Sequence, residues 1–131
     1  MDLSWIFGSD ALREGGWGMY PVIVLGILLI VTSGRYAFDG EPVRLRFAVA
    51  LSVTLLVFSV GGSLSNVAKT LWYLEDATRA PAAQFPHLLA EGLKESTRPC
   101  GTGLALLGFG LVLLTIGVYR VGLRELRAAR G

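Results

Sequence analysis

Five polar side chains stand in register along one otherwise apolar stretch. Ser52, Ser59, Ser63, Asn66 and Thr70 lie at offsets of 0, 7, 11, 14 and 18 residues, which a 3.6-residue period gathers on one side of a helix. A hydroxyl or amide surrounded by hydrocarbon needs a partner. Two readings follow. The stripe packs against a neighbouring helix, its hydroxyls bonding back to their own backbone, or it lines a wet path along which aligned hydroxyls and trapped water replace the shell of a permeating ion. Three helices do not enclose a wet channel, so the second reading requires several subunits. Farther along the chain Thr97, Gly101, Ala105, Gly108 and Thr115 form a comparable face of small residues. With Gly62, the positions Gly101, Ala105 and Gly108 are the expected points of close helix packing.

Glu95 and Cys100 stand near the start of that second face. Glu95 has a structural reading, an interfacial acid paired with Lys94 or with Arg98 at i+3, and a functional one, a proton relay. Lys69, Lys94 and Arg98 add positive charge around it. That charge opposes a cation by a few kcal/mol, on the order of the Coulomb energy of such pairs, unless Glu75, Glu91 or Glu95 neutralises it. His87 is the one histidine and Cys100 the one cysteine, so the sequence offers no metal-ligand cluster, no internal disulfide and no Ser or Cys with a partner His and carboxylate at a recognisable spacing. The glycines scatter along apolar runs and make no phosphate-binding loop. The expectation is a chain that is not an enzyme and needs no cofactor or metal.

The elements that position these residues follow from where charge is missing. Apolar residues make up 53% of the 131, and mean hydropathy is +0.57, too oily for a soluble fold of this size, in which surface dominates. Gly15–Gly34 is 20 residues without a charge, Phe47–Ala68 is 22 and Pro99–Tyr119 is 21. At roughly 1.5 Å per residue each spans a hydrocarbon core of about 30 Å. The fold class is therefore all-α and integral to a membrane, one domain over residues 1–131 with three spans at about 15–38, 44–74 and 87–127. A cleaved signal peptide fits the first run poorly, because residues 1–14 are acidic and amphipathic and no small-residue cleavage site precedes Arg35. Leu3, Ile6, Phe7, Ala11 and Leu12 share a face, which predicts a short interfacial helix over about 2–14. Trp17, Tyr20, Tyr36, Phe38, Trp72, Tyr73 and Tyr119 fall at span ends, where amphipathic rings prefer the headgroup level. Arg35–Arg46, with Asp39, Gly40 and Pro42, reads as a tight turn. The segment Glu75–Pro86 reads as a loop, a helix restarts near His87, and Pro99 bends or loosens it.

Orientation comes from the short connections. Arg35, Arg44, Arg46, Arg120, Arg124, Arg127 and Arg130 give seven basic residues in 24 on one side, against five in 44 on the other, which also holds seven acids. The positive-inside bias predicts an outside amino terminus and a cytoplasmic carboxyl terminus. The net charge of +2 is read as this orientation signal, with anionic lipid along the Arg120–Arg130 tail, and no nucleic-acid binding is inferred from it.

Three segments resemble one known family. Gly15-Gly16-Trp17-Gly18-Met19-Tyr20-Pro21 before the first run is similar to the Gly-Gly-x-x-Met-Tyr-Pro of the MotA/TolQ/ExbB proton-channel family. The segment Gly62–Leu71 resembles the family's Gly-Thr-Val-x-Gly, with Ser63 at its threonine. Gly92-Leu93-Lys94-Glu95-Ser96 with Gly103-Leu104 resembles Gly-Ile-x-Glu-Ala-Leu and the Gly-Leu that follows it. Order, spacing and topology agree over nearly the whole chain. The resemblance implies a bacterial inner-membrane homopentamer whose second and third helices line a pore around a TolR/ExbD-like single-helix partner. That partner would supply the membrane aspartate. Ser63, Thr70 and Glu95 are implied along the pore by position, with Cys100 where the family usually has threonine. Ser59 and Asn66 join them as pore-lining candidates through the stripe. The alternative expectation is a non-conducting membrane scaffold with the same helical packing.

Overall fold

The computed structural model describes residues 18–75 and 82–131. Within them lie α1 (Met19–Asp39), α2 (Pro42–Glu75), a 3-10 turn at Ala82–Gln84 and α3 (Phe85–Arg130). The interfacial helix expected over about 2–14 lies outside the described residues. All three helices are long and apolar enough to cross a membrane. At about 1.5 Å per residue the 46 residues of α3 run well beyond a single hydrocarbon core at about 30 Å.

The turn between α1 and α2 is shorter than its charges suggest. Arg35 and Tyr36 stay helical, and only Gly40 and Glu41 separate the two helices. Charge at the end of a span does not break a helix; the backbone reversal does. Gly40 adopts φ 69° and donates its N–H to Tyr36 O at 2.8 Å, the left-handed cap that costs any residue with a Cβ. The same glycine is pressed on α3, where an added Cβ would lie 2.7 Å from Val121 Cγ2. Pro42 then opens α2 at a position where its missing N–H is harmless. Arg44 reaches back to an ion pair with Asp39 and lies 3.6 Å from Glu41. Arg120 stands 6.0 Å over the Phe38 ring at this same end, so the turn is tied to α3 as well as to α2.

The three helices pack along two registers. Helix α1 runs parallel to α3, and Val22, Leu29 and Tyr36, seven residues apart, sit against Gly103, Gly110 and Gly117, also seven apart. A Cβ at Gly110 would meet Leu29 Cγ at 2.6 Å, and one at Gly117 would meet Tyr36 Cδ1 at 2.7 Å. In return Leu106 fills the space over Gly26, its Cβ only 2.9 Å from where one on that glycine would be. Helix α2 runs antiparallel to both and adds Ala48, Leu51 and Leu55 to the same core. For helices apolar enough to cross a membrane, hydrocarbon would give no hydrophobic reason to associate, and contact would come from dispersion at short range. Glycine at these three sites of α3 is what makes that range available.

Pro99 does not interrupt α3, which is helical on both sides of it. The ring is buried, and a Cβ on Gly62 would lie 3.4 Å from Pro99 Cβ, so α2 packs directly over the place where the backbone lacks a donor.

The registers predict opposite outcomes for two neighbouring glycines. Gly110→Val should cost about 1–3 kcal/mol of fold stability as an overpacked core does, whereas Gly108→Val, where an added Cβ meets nothing within 4 Å, should cost under about 0.5 kcal/mol. Unfolding of the single chain in denaturing detergent, followed by helical circular dichroism, measures both.

Candidate functional site: the polar seam between α2 and α3

The polar stripe of α2 faces α3. Ser59 is fully buried, and a Cβ on Gly103 would lie 2.5 Å from Ser59 Cβ, which marks a very close approach of the two helices. Its Oγ donates to Leu55 O at 2.6 Å. One turn further along α2 the half-buried Ser63 accepts a hydrogen bond from the Cys100 backbone N–H at 3.0 Å. The bond joins the helices one residue beyond Pro99. Proline leaves the Glu95 carbonyl without its helical donor, and the adjoining backbone is the place where α3 turns a peptide N–H toward a side chain of α2. Farther along α2 Thr70 donates to Asn66 O at 3.0 Å, and Gly92 leaves room for it, since a Cβ there would be 3.0 Å from Thr70 Cβ. Ser96, almost wholly buried, donates to Gly92 O at 2.6 Å. At the other end Ser52 donates to Ala48 O at 2.8 Å.

Most hydroxyls of the seam thus give their proton to their own helix, four residues back. A back-bonded hydroxyl keeps lone pairs free to accept. Such a seam can hold water or accept a proton-bearing group. His87, at the exposed start of α3, lies 3.4 Å from Glu91. Cys100 is a half-buried free thiol about 20 Å farther along the same helix, at about 1.5 Å per residue. Among the described residues no group of three His, Cys, Asp or Glu side chains is placed to hold a metal ion.

Toward the end of the molecule holding Glu75 and His87 the seam opens into a groove of about 270 Å³ lined by Lys69, Thr70, Tyr73, Leu74, Leu88, Glu91, Gly92 and Glu95. A narrower recess of about 120 Å³ adds Asn66 and Ser96. Glu95 is exposed in this groove, and no ion pair joins it to Lys94 or Arg98. The sequence-derived pore candidates are therefore neighbours in space: Ser59, Ser63, Asn66, Thr70, Glu95 and Cys100 all line or adjoin one seam. They line it within a single chain.

The packing candidates divide. Gly62 is half-buried between Gly18 and Pro99. Gly101, Ala105 and Gly108 face outward, and an added Cβ on either glycine meets nothing within 4 Å. The face that packs inside the chain is Gly103, Gly110 and Gly117, which the reading of α3 alone did not select. The signal was present on α1, whose Val22, Leu29 and Tyr36 repeat at the same interval. Ser33 is also a residue that sequence reasoning passed over: it is fully buried on α1, with no hydrogen-bond partner for its Oγ among the described residues.

No family model, curated protein or solved structure matches the chain. Within the described residues a Cβ on Gly18, the N-cap of α1, would lie 3.4 Å from Gly62 Cα of α2, Gly62 faces Pro99 of α3, and Thr70 faces Gly92.

The closeness at Ser59 generates a test. Ser59→Val should destabilise the fold by about 1–3 kcal/mol through overpacking against α3, while Ser65→Val, on the exposed side of the same helix, should change stability by under about 0.5 kcal/mol. Equilibrium unfolding in mixed micelles reads the difference.

Proposed function

We propose that the chain is an oligomeric subunit of a TolQ/ExbB-like proton channel or proton-driven motor in a bacterial inner membrane, amino terminus outside and carboxyl terminus in the cytoplasm. In this reading it does no covalent chemistry. The observation that carries it is the pairing of an internal polar seam with an unused small-residue face. A third or less of each candidate span is buried within the chain, and Gly101, Ala105 and Gly108 leave α3 smooth on its outer side. Small residues forfeit contact with acyl chains and favour another helix. Several copies joined through that face would ring a common axis with their α2–α3 seams, and a TolR/ExbD-like single helix on the axis would bring the titrating carboxylate. The seam would then supply acceptor hydroxyls, Ser63 and Thr70 foremost, and Glu95 would stand at the outer mouth. The convergence of the motif segments supports the same reading.

A second reading is favoured by a specific observation. Ser59 and Ser63 are already engaged in packing and bonding inside one chain, as a non-conducting scaffold with the same assembly would have them. Proton flux into liposomes separates the two. The channel reading expects flux that appears with a single-helix partner and falls at least about tenfold, as loss of the bonds a permeant makes with hydroxyls would give, in Ser63→Val/Thr70→Val. Absence of flux with and without the partner contradicts it and selects the scaffold. The assembly is tested separately: Gly101→Leu/Gly108→Leu should shift the native mass in nanodiscs from oligomer to single chain with helical content unchanged.

A further inference from the structure

The groove at the outer end of the seam carries charge of both signs that is not paired across it. Lys69 comes from α2, Glu91 and Glu95 from α3. The antiparallel register that sets Thr70 against Gly92 puts Lys69 level with the helical turn between the two glutamates. Yet among the described residues Lys69 and Glu95 form no ion pair, and the one ion pair of Glu91 is to His87 on its own helix. The space between the helices, about 270 Å³, keeps them apart. A groove with one cation facing two carboxylates is net anionic, so a lone phosphate is repelled by it and a lone cation meets the lysine. A zwitterion answers both.

We propose that this groove binds the headgroup of a phospholipid bearing a primary ammonium. The ammonium has three N–H donors and would lie between Glu91 and Glu95, which accept only; the phosphate would lie on Lys69, a donor only. The depth is suitable. Lys69 is the first charge after the uncharged run Phe47–Ala68, and Trp72 and Tyr73 follow it, where aromatic rings mark the headgroup level. Gly92 keeps the groove floor low, and the Lys69 stem can lie along the apolar surface with its amine at the interface. A trimethylated ammonium offers no N–H to the glutamates. A glycerol headgroup offers them no charge. The chemistry therefore selects the primary amine over both. The proposal rests on the membrane placement above and is independent of proton conduction and of the oligomer.

The full chain is reconstituted in nanodiscs of equimolar phosphatidylethanolamine, phosphatidylcholine and phosphatidylglycerol, transferred to mild detergent, and its retained lipid counted by native mass spectrometry. The expected result is phosphatidylethanolamine retained about tenfold over either competitor, the ratio that a charge-assisted hydrogen bond supports. Glu91→Gln/Glu95→Gln should abolish the preference, and Lys69→Met should lower total retention, each with helical circular dichroism unchanged. Equal retention of the three lipids, preference for phosphatidylglycerol, or a preference that survives the double glutamine variant overturns the proposal. Displacement of the lipid by equimolar water-soluble glycerophosphoethanolamine overturns the lipid assignment. Failure of the chain to co-fractionate with the nanodisc refutes the membrane placement itself, a result distinguishable from loss of lipid selectivity in a chain that inserts.

Discussion

The structure depends on how near two parallel helices can come. All three helices are long and apolar enough to cross a membrane, and in hydrocarbon such side chains would be as content against acyl chains as against each other, leaving association to short-range dispersion and shape. Gly103, Gly110 and Gly117 remove side-chain volume from α3 where Val22, Leu29 and Tyr36 supply it from α1. Leu106 over Gly26 is the reciprocal contact. Once this register is set, the Gly40 turn, pressed against Val121, fixes where α2 enters. Helix α2 then has one way to lie, with Ser59 against Gly103 and Thr70 against Gly92.

The polar seam is a consequence of that placement. Its hydroxyls serve the backbone of their own helices, and Ser63 takes the Cys100 N–H beside Pro99. The same few residues that let α2 and α3 touch also leave acceptor oxygens along the contact, which widens into a groove with Lys69, Glu91 and Glu95. Packing and chemistry are thus not alternatives at each position. Thr70 bonds to its own helix, rests on Gly92 and lines the groove at once. What the single chain leaves unused is the outer face of α3 and most of the apolar surface of all three spans.

Much of this was legible in the residues. Three uncharged runs longer than a bilayer core announce three helices, because charge inside hydrocarbon is costly, and the spacing of Ser52, Ser59, Ser63, Asn66 and Thr70 announces their common face. Less legible was the packing face of α3. Gly101 and Gly108 repeat at seven residues, and so do Gly103, Gly110 and Gly117; one helix read alone does not say which row meets a neighbour. The choice is made by bulky residues on α1, a long-range match that composition does not reveal. Charge places the connection anywhere within Arg35–Arg46, whereas backbone geometry at Gly40 is what ends the helix. Helical spacing offers Glu95 a partner in Lys94 or Arg98, and the interhelical groove it lines depends on α2, which that spacing does not reveal.

The central claim, that α1 lies parallel to α3 in the Leu29–Gly110 register within one chain in a membrane, is tested most directly by disulfide trapping. In a Cys100→Ser background, Leu29→Cys/Gly110→Cys should oxidise to an intramolecular bond in native membranes, and Leu29→Cys/Gly108→Cys should not, because the Gly108 position points away from α1. Bonding of the Gly108 pair in preference to the Gly110 pair, or bonding of either pair only between chains, would contradict the account.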